Sequence, residues 1–341
     1  MKDFIMRVTN LTVITILSLI MIIMNARAEN NQKRPVSILL GRPVNISEPL
    51  SDQWIAALIQ TILEYKLSAV NNITFVPDEN IRRYIPSHTD YTLTPYDVAY
   101  LPTGTRMNAD YVATQKFEMQ RGKKVSYYME VAATSSQEVV ATIEHTFKLH
   151  SLGNELNVIV QNLLNDLNLS PPSQLTRFMK LPAVGTDLGV LEKLGGYIIR
   201  ERFSRMVDSI PLADDYRTFC EKEQSMELAY YQAGRFFLAL GRHNDAVEAL
   251  TFLFRSTPEY SPVYAPLMRA LRMAGRNQNI QQIIEFAEKW GITSSEFNLE
   301  KARYYQTTGN IEKAEYVYRQ ILMSNPEDRN ALRFYAQYYE K

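Results

Sequence analysis

Cysteine is almost missing from this sequence, with Cys220 alone in 341 residues. A single thiol excludes an internal disulfide framework, a C-x-x-C redox pair and any cysteine-rich zinc site. Histidine is scarce as well, at four: His88, His145, His150 and His243. His145 and His150 fall five apart on an expected strand, which sends them to opposite faces and makes a shared metal ion a poor reading. An excess of one charge is absent, because 37 Lys+Arg balance 37 Asp+Glu. There is then no basic field to draw nucleic acid. No Walker loop and no G-x-G-x-x-G occurs, and Gly185, Gly189, Gly195 and Gly196 are spaced loosely, as in a flexible connector. Cys220 has no nearby histidine and no nucleophile motif, so it reads as a packed structural thiol. Asp214-Asp215 and Glu221/Glu223 read as surface charges, and nothing singles out a carboxylate pair for glycoside hydrolysis. The chain is therefore expected to be no enzyme, with no catalytic residue, no cofactor and no metal site.

Long apolar runs are missing too, except at the start. Lys2 and Arg7 precede Leu11–Met24, a run of 14 uncharged residues, and Asn25-Ala26-Arg27-Ala28 follows. This reads as a signal peptide over 1–28, cut at the A-x-A site to leave Glu29 first. The alternative is an uncleaved anchor. A span needs about 20 apolar residues, more than this run supplies. Membrane contact is expected only through this segment, and only if it stays uncut. Without a cysteine near the site, a lipoprotein anchor is excluded.

Residues 29–169 carry a mixed pattern. Val36–Leu40 reads as a strand buried on both faces. Ser51 stands as cap to a helical stripe of Trp54, Leu58, Ile62 and Tyr65, running to about Ala69. Asn71-Asn72 turns the chain, Ile73–Val76 forms a second strand, and Glu79–Tyr84 a short helix. Another short helix is expected from Pro95. Ala109–Met119, Val125–Ala133 and Val139–Leu149 alternate as three strands joined by tight turns, an antiparallel meander. Leu156–Leu169 closes the unit as a helix. The expected fold is an α+β sandwich with a mixed sheet and two main helices.

Residues 170–226 open on Ser170-Pro171-Pro172-Ser173 and read as a linker and helical connector. From 227 onward Gly241, Gly275 and Gly309 recur every 34 residues. Placing them at the turn between two helices gives repeats 227–260, 261–294 and 295–328, then a closing helix, Asn330–Tyr339. The first keeps Tyr230, Gly234, Phe237, Ala246 and Pro258; the third keeps Ala302, Tyr305, Ala314, Tyr318 and Pro326. The second is weaker, with Ile292 where proline is expected.

Two family resemblances rest on these residues. The 227–341 stretch resembles the tetratricopeptide repeat (TPR) family, which implies an all-α solenoid with a concave groove. The segments VSILLGRPVN, ITFVPDENIRR and Asn108-Ala109-Asp110-Tyr111-Val112 with the strands that follow resemble the TolB amino-terminal-like domain, related to the CsgG-type fold. Where that family usually has Pro-Phe after its first strand, this chain has Leu40-Gly41. The likeness implies a non-enzymatic, protein-contacting module of a Gram-negative envelope, hence a periplasmic or exported location.

In the repeat frame one position of the first helix faces the groove, and it holds Arg235, Arg269 and Arg303. Arg272 lies three beyond Arg269, and Arg333 extends the line onto the last helix. Tyr231, Leu228 and Leu299 stand beside it as apolar contacts. A ladder of guanidinium forks suits carboxylates on an acidic peptide segment of a protein partner. The competing reading pairs each arginine with a glutamate of its own array. The whole is expected to be an exported adaptor or scaffold. Its rivals are a cell-wall or glycan enzyme accessory with a small ligand between the domains, and a membrane-anchored envelope regulator.

Overall fold

Alternation decides the centre of the fold. Along Tyr111–Gln120 (β4), Lys124–Ala133 (β5) and Val139–Lys148 (β6), every second residue turns inward. Val125, Tyr127, Met129 and Val131 are buried, opposite Phe117, Gln115 and Ala113 on one side and Phe147, Ile143 and Ala141 on the other. In this computed structural model the three strands form the expected antiparallel meander. The β4–β5 turn holds Gly122 at φ +76°, where a Cβ would be strained. The structure describes residues 35–47, 52–70, 73–76, 100–203 and 206–339. The expected signal peptide 1–28, the Ser51 cap, the Asn71-Asn72 turn and the Glu79–Tyr84 helix lie outside the described residues.

Val36–Leu40 (β1) and the short Val44–Asn45 (β2) run parallel to β4, with Ile38 opposite Tyr111 and Val44 opposite Lys116. Ile73–Phe75 (β3) completes a mixed sheet of order β3-β1-β4-β5-β6, with β2 beside β4. The crossover helix Gln53–Ser68 (α1) is as expected, but its first cap is Asp52, at φ +55°. The start expected for a helix at Pro95 lies outside the described residues, and a helix covers Tyr100–Arg106 (α2). Leu101 and Met107 cover Leu39, Val76, Ala109 and Val112 there. Leu152–Asp166 (α3) packs against α1 and β6. Its register begins four residues earlier than the leucine pattern suggested, because His150 sits in a 3-10 turn, Leu149–Ser151, rather than on the strand.

A chain of buried amides ties α1 to the sheet. The Tyr127 hydroxyl donates to Gln115 Oε1 at 2.6 Å, and Gln115 Nε2 donates to Gln60 Oε1 at 3.0 Å and to the Gly41 carbonyl at 2.6 Å. Gln60 Nε2 passes on to Glu64 at 2.6 Å and Leu40 O at 3.2 Å. Each amide has partners, so this polar line through an apolar core is satisfied rather than costly.

The segment expected as a linker is packed instead. Residues Leu175, Phe178, Met179, Ala183 and Val184 are buried. A short helix, Thr176–Lys180 (α4), is held from two sides: Asn157 Nδ2 donates to the carbonyls of Lys180 and Leu181 at 3.1 and 3.0 Å, and Lys66 reaches it from α1. Helices Leu188–Phe203 (α5) and Met206–Lys222 (α6) follow. Gly195, read as connector flexibility, marks close packing: a Cβ there would stand 2.6 Å from the Trp54 carbonyl oxygen. Asp214 and Asp215 are paired rather than free surface charges, with Arg242 at 2.8 Å and Arg200 at 2.7 Å.

The rest is helical: Glu227–Ala239 (α7), His243–Ser256 (α8), Tyr264–Met273 (α9), Ile280–Lys289 (α10), Ser295–Thr307 (α11), Ile311–Ser324 (α12) and Arg329–Tyr339 (α13). Gly241, Gly275 and Gly309 lie after α7, α9 and α11 at φ +74°, +73° and +77°, one left-handed residue per turn. Gly234 has no room for a side chain either, since its Cβ would meet Leu250 at 2.5 Å where α7 crosses α8. Ser37–Lys341 forms one compact unit.

Candidate functional site

The arginines expected along a groove do not form a ladder. Arg269 and Arg272, on α9, and Arg303, on α11, converge on one carboxylate, Glu300 of α11. Arg269 Nε donates to Glu300 Oε1 at 2.9 Å, Arg303 Nη1 to the same oxygen at 2.8 Å, and Arg272 Nη2 to Oε2 at 3.0 Å. The spacing follows from helix geometry. Glu300 and Arg303 are one turn apart on one face, as are Arg269 and Arg272, and α9 packs on α11.

Glu300 is 1% exposed. Burial alone would push its carboxyl pKa up, but the charges and hydrogen bonds of Arg269 and Arg272 outweigh that and hold it below the ordinary value. Three guanidiniums around one carboxylate leave a local charge of about +2. The surplus is not buried: Arg269 is roughly half exposed, and Arg272 and Arg303 less so. Arg303 Nη2 donates further to Asn330 Oδ1 at 2.9 Å, at the start of α13. Arg272 Nε is buried without a hydrogen-bond partner.

The other expected contacts lie elsewhere. Arg235 is at the surface with its guanidinium 5.6 Å from the Tyr231 ring, and the carboxylates that act on it are Glu201 of α5 and Glu64 of α1. Arg333 is exposed on α13 and makes no ion pair among the described residues. Tyr231 packs 5.5 Å from Tyr65 and 5.3 Å from Tyr260, an internal junction rather than a groove wall. Leu228 is fully buried and Leu299 half-buried. Sequence reasoning missed Glu300, although Arg269 and Arg272 stand 31 and 28 residues before it, within helical reach of the 34-residue repeat.

Other reactive groups are spoken for. Burial, with Glu221 nearby, pushes the Cys220 thiol up to about 12, where almost no thiolate forms. His145 bonds Glu155 at 2.7 Å across from α3. Among the described residues, no group of three or more His, Cys, Asp and Glu is placed to hold a metal ion, and no helix is long and apolar enough to cross a membrane. A hollow bounded by Leu40, Arg42, Gln60, Glu64, Phe75 and Arg202 has room for little more than water.

Compared with known proteins, the chain matches no family model, and no curated protein is similar to it.

Proposed function

We propose that this chain is a non-enzymatic adaptor exported to a Gram-negative envelope, a tetratricopeptide array carried by a TolB-like α/β unit. Its array takes an acidic segment of a protein partner at the α9–α11–α13 face. The surplus charge around Glu300 supports this reading. A single internal carboxylate satisfies part of three guanidinium forks, and N–H groups of Arg269 and Arg303 remain at the surface to donate to a second one. Arg333 adds an exposed cation on the next helix. The 34-residue hairpins support the array, and the mixed sheet with its meander supports the α/β unit.

The test is binding of a fluorescent oligoglutamate, with oligoglutamine as the neutral control. Oligoglutamate should bind the full chain selectively, several-fold more weakly for Arg333→Glu, and more weakly as salt rises, because surface charges are screened over about 8 Å at physiological ionic strength. Arg333 is exposed and makes no ion pair among the described residues, so its reversal should leave the fold intact. Equal binding of both peptides, or no effect of the reversal, overturns the acidic-segment reading. Export is checked separately by fractionation and the mass of the mature N-terminus, expected to begin at Glu29.

A further inference from the structure

Each helical hairpin seats its second helix on one stripe of its first. Where α7 meets α8, Gly234 lies against Leu250. One and two repeats further on, the same place holds Met268 of α9 and Ala302 of α11, both buried. The next in the period is Ala336 of α13, and it is exposed. Leu332, one turn earlier on the same stripe, is 48% exposed, whereas Tyr264 at that place in α9 is fully buried. The other side of α13 is docked in the ordinary way. Ala331 and Phe334 are buried, Phe334 stacks on Tyr318 of α12 at 4.5 Å, and the Tyr335 hydroxyl donates to the Glu315 carbonyl at 3.4 Å. Among the described residues, α13 is then a first helix with no second helix on it. A repeat helix that faces water carries a polar outer side; this one carries Leu332, Tyr335 and Ala336.

The geometry points to a second copy of this chain as the cover, its α13 packed antiparallel on this α13 about a two-fold axis between Tyr335 and Ala336. The hairpins define what suits the stripe. A second helix runs antiparallel to the first, because the chain returns after a tight turn. It buries residues at i, i+3 and i+4, as Ala246, Ala249 and Leu250 do in α8 and Ala314, Val317 and Tyr318 do in α12. Leu332, Tyr335 and Ala336 have that same spacing. The helix that lacks a partner therefore carries the stripe of one, and a single two-fold covers both copies at once, as in any isologous interface.

Side-chain size and charge agree with this register. Tyr335 faces Ala336 of the other copy, large against small, in the manner of Leu250 on Gly234. Arg329 and Arg333 are exposed. A parallel pair would set each beside its own copy, which is repulsive. Antiparallel, the two Arg329 stand about 20 Å apart along the axis at about 1.5 Å per residue. Each then lies past the end of the other helix, where the unpaired carbonyls favour a cation. Arg333 comes level with Tyr338 of the other copy, so no two arginines meet. This contact does not depend on the acidic-segment site.

Sedimentation of the full chain over a range of concentrations tests this, and a reversible dimer is expected. Leu332→Glu and Ala336→Glu each put a carboxylate into the apolar contact and should weaken the dimer at least about tenfold, because the charge would be taken from water unpaired. Both side chains are exposed in the single chain, so the helical signal and melting temperature should stay nearly unchanged. A short bismaleimide should join two copies of Ala336→Cys, while the natural chain, whose Cys220 is buried, stays unlinked. A chain that is monomeric at every concentration overturns the proposal and leaves the stripe for a helix of another protein. A dimer that survives both glutamates, or that Ala336→Cys fails to link, overturns it as well.

Discussion

The ammonium of Lys66 rests on the backbone of Phe178, donating to its carbonyl oxygen at 2.6 Å while standing 4.2 Å from the centre of its ring. A second bond goes to Leu181 O at 2.5 Å. The side chain is 1% exposed, so a lysine at the end of α1 has become the latch for the segment after α3. Its amine supplies a donor to the Phe178 carbonyl within a short helix and a second to the Leu181 carbonyl, which Asn157 also reaches.

Burial lowers the Lys66 pKa from 10.5 to about 8, with Glu227 opposing the shift. The folded chain then binds fewer protons than the unfolded one between those values, so this group makes stability rise with pH across that window. Below pH 8 the full penalty of a buried charge is present. The stability difference between the natural chain and Lys66→Gln should be flat below about pH 8 and shift in favour of lysine above it, by up to about 3 kcal/mol. Urea unfolding of both proteins across the window measures it. A difference independent of pH would mean that Lys66 is charged in both states.

Glu300 should also make stability rise with pH, but in the acid range and because its charged form is the favoured one. Its folded pKa lies below the ordinary 4.5, so its contribution is present above that value and disappears as pH falls through the folded one. Glu300→Gln should lower stability by about 2 kcal/mol near neutral pH, discounted for the solvent exposure of the arginines. The gap between the two proteins should close in acid. Thermal melts at neutral and acid pH check it, and an equal gap at both would show that the carboxylate charge is not what holds the three arginines.

Gly195 and Gly196 give a pair of substitutions with opposite signs. A methyl at Gly195 meets Trp54 backbone at 2.6 Å, so Gly195→Ala should destabilise by about 1–3 kcal/mol. At Gly196 nothing lies within 4 Å. Gly196→Ala should stabilise α5 by about 0.8 kcal/mol through helix propensity. Denaturant midpoints of the two variants settle it, and a shared sign would contradict the α1–α5 packing.

Much of the architecture was legible because it is written at short range. The meander was visible in the alternation of Val125, Tyr127, Met129 and Val131, and the hairpin turns in the period of Gly241, Gly275 and Gly309. What was not legible depends on residues far apart in the chain. Pro171 and Pro172 looked like a linker because proline punctuates chains, yet Phe178 is buried by partners far along the chain, Tyr260 82 residues after it with its ring at 5.1 Å and Lys66 112 residues before it. Val184 lies against Gly153. The arginines were found by period, but their direction was not. A residue frame assigns a face of a helix, whereas Glu300 acts through the gap between two hairpins.

Tyr65 and Tyr260 have ring centres 4.4 Å apart, and Phe178 and Tyr231 close around them. This shared aromatic knot joins α1 of the sheet layer to the first helical hairpin. Cutting the gene between the two would not yield two working halves, because each would carry one side of an exposed aromatic surface. It also removes the freedom of a hinge. Anything attached at the sheet edge and anything attached along the helices would be held at a fixed span, so a load applied to one would be transmitted to the other as strain rather than absorbed by a slack tether.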